Sequence, residues 1–230
     1  VLNGRSGVRA VTAQKVEAAI AAIGFQRDLS ASLLARARDL RITFVIPDGT
    51  NEFMASLADA VARRASQALT ERMHVQTRRI RALDGAALAQ SLDALDARDC
   101  DCAIVVASEE PAVVTAVDAA VRRGVVIMTL VSDLPGTLRR HFIGIDNVAA
   151  GRTAASLMGR FLPQGGRVAV IAGSLHLRDH TDRLAGFQAA LAAEFGAVQL
   201  IGPIEGHDER SQTQALVGDL LARHPDLAGL

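Results

Sequence analysis

Polar side chains cluster directly after several short apolar runs. Asp48-Gly49-Thr50-Asn51-Glu52-Phe53 follows one run, Ser132-Asp133 another, and Asp146-Asn147 a third. Ser174 and Asp179-His180-Thr181-Asp182-Arg183 follow a fourth, and Glu205-Gly206-His207-Asp208 a fifth. Carboxylates, amides and a guanidinium supply the planar donors and acceptors that a polyhydroxylated ligand needs. Phe53 adds an apolar face on which a sugar ring can stack. A plainer reading stands beside this one: loops are polar because they are wet, and Asn51 or Asp146 only cap helices.

Other chemistries find no support. No G-x-G-x-x-G, G-x-x-x-x-G-K-[ST] or G-x-S-x-G pattern occurs, and Lys15 is the one lysine of the chain. The six histidines show no H-E-x-x-H spacing; His176 and His180 stand four apart beside Asp179, a spacing that has meaning for a metal only on a helix. Cys100 and Cys102 are one residue apart, too close for an unstrained disulfide and too few for a zinc site, so two reduced thiols near a strand start are expected. A non-enzymatic protein without a cofactor or metal is expected.

The elements that position these residues are legible in the hydrophobic pattern. Apolar runs at Ile42–Ile46, Val75–Ile80, Ala103–Ala107, Val125–Val131, His141–Ile145, Val168–Ala172 and Gln199–Ile204 read as strands. Between them lie helical stripes such as Phe53/Leu57/Val61/Ala65/Ala68, Leu88/Leu92/Leu95 and Val113/Val117/Val121. Strands separated by single helices indicate an α/β fold with parallel sheets covered on both faces. The rhythm compresses between Pro135 and Gly151, so two lobes joined near Ile145–Asn147 with a cleft between them are expected. In such sheets ligands bind beyond the carboxyl ends of the strands, where the polar clusters stand.

Half of the 230 residues are apolar, ample for a sizeable core, and 25 basic side chains balance 25 acidic ones. The balance is uneven along the chain. Residues 1–41 carry seven basic groups against three acidic ones. Within this lead, Thr12–Ile23 reads as a helix with Thr12 as N-cap, and Leu29–Ala37 as a second, short one. No apolar run approaches the roughly 18 residues of a membrane span, and no secretory h-region opens the chain, so a cytoplasmic protein is expected. Val1 is not an initiating Met, which suits a fragment or a processed form.

Val1-Leu2-Asn3-Gly4 through Val8, with Thr12, Val16, Ala19-Ile20 and Ile23-Gly24-Phe25, resembles the latter half of the helix-turn-helix headpiece of the lactose-repressor (LacI/GalR) family. Ala31 and Leu34 resemble its hinge helix, and Asp48, Asn51-Glu52-Phe53 its D-x-x-N-P-F opening, with Glu52 in place of Pro. Val125–Asp133, Gly144-Ile145-Asp146-Asn147 with Ala150-Gly151, and Arg183-Leu184-Ala185-Gly186-Phe187 follow the family pattern. The resemblance implies residues 1–40 as headpiece remnant and hinge, and 41–230 as an effector-binding domain of periplasmic-binding-protein-like fold. Its first lobe would span about 41–146 and a partial second lobe about 147–230, with about a third of the domain following Leu230. It further implies a homodimeric repressor of operator DNA, tuned by a sugar-like effector. Asn51, Phe53, Ser132, Asp133, Asp146, Asn147, Arg183 and Asp208 would line the effector site, Ser132-Asp133 standing where Asp-Arg is commonest. Asn3, Arg5, Arg9, Leu34, Arg36 and Arg38 would face DNA, Leu34 as a minor-groove wedge. A periplasmic solute-binding protein, which shares the two-lobed fold, is the alternative.

Overall fold

The computed structural model describes residues 9–23, 39–49 and 51–230. It divides into two compact units at Leu40/Arg41. Of the first unit it describes one helix, α1 (Ala10–Ile23). The helix starts two residues before the expected Thr12 because the Arg9 carbonyl accepts from Thr12 N and Ala13 N at 2.9 and 3.0 Å. Thr12 therefore sits inside the first turn and cannot be its cap. Val11 is 64% exposed, so this helix buries little of its own apolar surface. Asn3, Arg5, Leu34, Arg36, Arg38 and the expected hinge helix lie outside the described residues; Arg9 is exposed.

The second unit carries two parallel sheets. The first contains β1 (Leu40–Asp48), β2 (Met73–Arg81), β3 (Cys102–Val105), β4 (Val126–Leu130) and β5 (His141–Ile143), in the order β2-β1-β3-β4-β5. Helices α2 (Glu52–Ala68), α3 (Gly85–Asp93) and α4 (Pro111–Arg122) connect its strands. Residue pairs such as Val45/Val105 and Ile104/Met128 set the register. The helical stripes bury as their spacing requires: Val45, Leu92, Val105, Val113, Val117 and Ile127 are fully buried in one cluster. Each such side chain stabilises the fold by about 1.5–3 kcal/mol.

The second sheet holds β6 (Gly166–Ala172), β7 (Val198–Glu205) and β8 (Leu227–Gly229) in the order β7-β6-β8. Helices α5 (Asn147–Phe161), α6 (Arg178–Glu194) and α7 (Arg210–Arg223) complete this lobe. Its smaller core gathers Ala155, Val168, Phe187, Ala190 and Leu191. Helices α5 and α6 approach backbone to backbone. A Cβ on Gly151 would strike the Arg183 carbonyl, and one on Gly186 the Val148 carbonyl. Glycine at both positions lets the helices meet and sets Asn147 beside Arg183.

Three strands end earlier than expected: β3 at Val105 rather than Ala107, and β4 and β5 for visible reasons. The β4 strand stops at Leu130 because Val131 turns to φ 67°, and its neighbour Ser132 donates back to the Leu130 carbonyl at 2.8 Å. With β4 ended, Gly144 and Ile145 have no ladder partner, so β5 stops at Ile143. Among the described residues no helix is long and apolar enough to cross a membrane.

The lobes touch directly. Glu109 N donates to the His176 carbonyl at 3.1 Å, and Arg178 pairs with Glu109 at 3.1 Å. Arg210 at the start of α7 pairs with Glu52 at the start of α2, also at 3.1 Å. Both ion pairs are solvent-exposed and contribute no more than about 1 kcal/mol each.

Candidate functional site

A cavity of about 440 Å³ lies between the two sheets, within the size range of small-molecule sites. Its walls come from the segments just beyond the carboxyl ends of β1, β3, β4, β5, β6 and β7. Strand order reverses on either side of β1 in the first sheet and of β6 in the second, and a crevice opens at such reversals.

The wall from the first lobe is apolar. It consists of Phe53, Leu57, Val106, Leu130, Val131 and Ile143, with Met54 and Ile145 at its margin. Phe53 is 57% exposed, so the first residue of the α2 stripe faces the cavity rather than the core. Asn51 brings the one polar side chain among this lobe's described lining residues. Its Oδ1 accepts from Phe53 N and Met54 N at 3.0 and 3.2 Å and so caps α2.

The wall from the second lobe is polar. Asn147, only 7% exposed, accepts at Oδ1 from Arg183 Nη2 at 2.6 Å, a short charge-assisted bond. One turn earlier on α6, Asp179 is 6% exposed; its Oδ2 lies 3.7 Å from Arg183 and its Oδ1 has no partner. Gly173 N donates to His180 Nδ1 at 3.3 Å, which leaves Nε2 to carry the ring hydrogen of the neutral form. That nitrogen sits 3.6 Å from Asp179 and 3.8 Å from Asp208. Gly173 leaves room for both side chains, since a Cβ there would push Asp208 and His180 from their places. Asp208 itself follows a loop pinned to β6, with Gly206 N on the Ala172 carbonyl and His207 N on the Gly173 carbonyl, both at 2.8 Å.

Of the eight expected effector residues, the structure brings Asn51, Phe53, Asn147, Arg183 and Asp208 to the cavity. It leaves Ser132, Asp133 and Asp146 off the wall. Ser132 is fully buried. Asp133 is turned inward, accepting from Thr129 Oγ1 and Leu134 N at 2.7 Å and from Arg139 Nη2 at 2.6 Å. Arg139 Nε also lies 2.6 Å from Asp133 but approaches at a poor angle and makes no hydrogen bond. Burial alone would raise the Asp133 carboxyl, yet these donors outweigh it and hold the group below its usual range. Asp146 accepts from Ala149 N at 2.9 Å as the cap of α5. One oxygen each of Asp146 and Asn51 thus serves as a helix cap, as the plainer reading has it.

Asp179 and His180 stand in the polar cluster after β6 but are not among the eight residues that the resemblance implies for the site. The available signal was the four-residue spacing of Asp179 and Arg183, which on a helix stacks the two side chains over the same cavity. His176 and His180 do not share a helix, because α6 begins between them at Arg178. Among the described residues no group of three His, Cys, Asp or Glu side chains is placed to hold a metal ion.

Residues 42–230 match the family model described as a periplasmic binding protein domain. The chain belongs to that family. No curated protein matches it. Among solved structures, this periplasmic binding protein domain is similar to an ABC transporter solute-binding protein from Burkholderia graminis in complex with D-arabinose. The two are 25% identical with a TM-score of 0.74, over 83% of this chain and 64% of that one. A solute-binding protein from Agrobacterium vitis with bound D-fucose gives 21% identity and a TM-score of 0.72, over 81% and 64%. A glucose-galactose binding protein from Geobacillus stearothermophilus gives 22% and 0.71, over 84% and 68%. The chain therefore spans about two thirds of the length of these neighbours.

Proposed function

We propose that the chain binds a small sugar or polyol in the cleft between its lobes. The observation that carries this reading is the cavity itself: an exposed aromatic ring on one side, and on the other Asn147, Asp179, Arg183 and Asp208 converging from three different segments. Neighbours of the same fold hold D-arabinose and D-fucose. Those proteins belong to ABC transporters, which favours capture of a solute as the use to which binding is put. The test is melting of the full chain with a panel of neutral monosaccharides. A sugar at a hundred times its dissociation constant should stabilise the fold by about 2.7 kcal/mol. A flat melting temperature across the panel at millimolar sugar overturns the proposal.

A second use is favoured by one specific observation, the basic lead of residues 1–41 with its resemblance to a repressor headpiece and hinge. In that reading the sugar is an effector, the protein is a homodimer, and Asn3, Arg5, Arg9, Leu34, Arg36 and Arg38 face operator DNA. Its test is duplex binding as a function of salt. Removing one true phosphate contact, as in Arg36→Ala, should reduce the salt slope by about one. Absence of salt-dependent DNA binding removes this use and leaves sugar capture standing.

A further inference from the structure

Among the described residues, Asp179 is the one side chain of the cavity wall that is more than nine-tenths buried and carries an oxygen with no partner. A buried acceptor of this kind is costly unless something donates to it. Among the described residues none supplies such a donor. Arg183 spends Nη2 on Asn147, and both Arg183 and the His180 Nε2 hydrogen lie nearer Oδ2, at 3.7 and 3.6 Å, beyond hydrogen-bond reach. Asp179 therefore keeps unspent acceptor capacity at the cavity wall, which a ligand hydroxyl or another N–H or O–H group can use.

The rest of the cavity narrows the class further. Asp208 places a second carboxylate 3.8 Å from His180, so two carboxylates share this wall with a single guanidinium. A ligand carboxylate or phosphate would add a third negative charge beside them. Opposite, the described lining of the first lobe offers no ionisable side chain and one amide oxygen already engaged as a helix cap. Phe53, Leu57, Val106, Val131 and Ile143 make most of that side apolar, so a hydroxyl set against them finds no side-chain partner there.

We infer that the site selects a two-faced, uncharged ligand, such as a deoxy sugar, with its hydroxyl edge on Asp179 and an apolar edge against the first lobe, and that it rejects sugar acids. This rests on the sugar-binding reading above and makes Asp179 its specificity determinant.

The test is isothermal titration of the full chain with matched hexose series that differ only at C6, in the galactose, glucose and mannose configurations. Each series contains the 6-deoxy sugar, the parent hexose and the uronate. Within any configuration that binds, the methyl compound should bind roughly five- to a hundredfold more tightly than the parent, because its hydroxyl no longer loses water without a partner. The uronate should be weaker again by roughly a hundredfold, from like charges brought together. The isosteric Asp179→Asn variant should bind the deoxy sugar about tenfold or more weakly while the penalty on the uronate shrinks. Uronate binding equal to or tighter than that of its neutral partners overturns the inference, as does tighter binding of the parent hexose than of its deoxy form. An Asp179→Asn change that weakens every sugar by the same factor assigns Asp179 to the fold and overturns its role in specificity. These outcomes need a sugar that binds. Binding of none removes the sugar-binding reading itself, and the inference with it. The wild-type ordering decides the ligand class even if the variant does not fold.

Discussion

Replacing Arg183 by Ala separates a ligand-binding role for this residue from a structural one. In the free protein the guanidinium donates to Asn147 at 2.6 Å, joining the first turn of α5 to the second turn of α6. Hydrogen bonds to charged groups contribute about 1.5–3 kcal/mol when well shielded. The Arg183 side chain is 43% exposed, so solvent weakens its contribution to the fold to about 1 kcal/mol or less. For a unit of this size that lowers the melting temperature by about 2–4 °C. The cost to binding is larger, because a ligand in the cavity excludes water from the same groups. Loss of the donor, with Asn147 and Asp179 left unpaired beneath the ligand, should weaken sugar binding by about 1–3 kcal/mol, or roughly 5- to 150-fold. Arg183→Lys should recover part of this, since it keeps the charge but loses the planar fork. Calorimetry on a sugar that binds the wild type, paired with thermal melts, reads both quantities. An Arg183→Ala protein with a melting temperature several degrees lower and unchanged sugar affinity would show that Arg183 only ties α5 to α6.

Three further outcomes are expected. Burial, reinforced by the neighbouring Cys100 and Asp101, pushes the Cys102 thiol up to about 11, so it should resist iodoacetamide at neutral pH until denaturant is added, and rapid native alkylation would contradict its burial. The Asp133 carboxyl is held below its unfolded value, so the unfolded chain binds more protons in acid. The stability Asp133 provides is therefore complete above about pH 4 and lost as pH falls through its folded value, and Asp133→Asn should flatten that part of the acid-unfolding curve. Gly186→Val should force α5 and α6 apart at the Val148 carbonyl, destabilising the fold by about 1–3 kcal/mol and weakening sugar binding through Asn147 and Arg183. Unchanged melting and affinity would show that the two helices have room to spare.

The sheet architecture was legible because runs such as Ile42–Ile46 and stripes such as Leu88/Leu92/Leu95 bury as their periods require. Strand ends were not, because they depend on partners. Val131 leaves the ladder by a backbone turn that its side chain does not announce. The β6–β7 register slips where Gly202 and Pro203 oppose the single residue Val170, and proline has no N–H to keep the ladder in step. At the site, Phe53, Asn147, Arg183 and Asp208 reach the cavity, residues that the strand-end clusters and the family resemblance together point to. Ser132 and Asp133 stand in a strand-end cluster as well, but the turn at Val131 carries them off the wall and Arg139 supplies Asp133 with a partner six residues on. Asp179 stands in such a cluster too, but nothing in the sequence singles it out, because an unpartnered oxygen is a property of its surroundings, not of its residue type.

The central claim is that the cleft between the lobes holds a sugar. Hydrogen exchange on the full chain, with and without a sugar that raises its melting temperature, tests it most directly. The expected result is simultaneous protection of 51–57 and 130–145 from the first lobe and of 147–151, 173–183 and 206–208 from the second. Protection confined to one lobe, or to segments away from these strand ends, would contradict it.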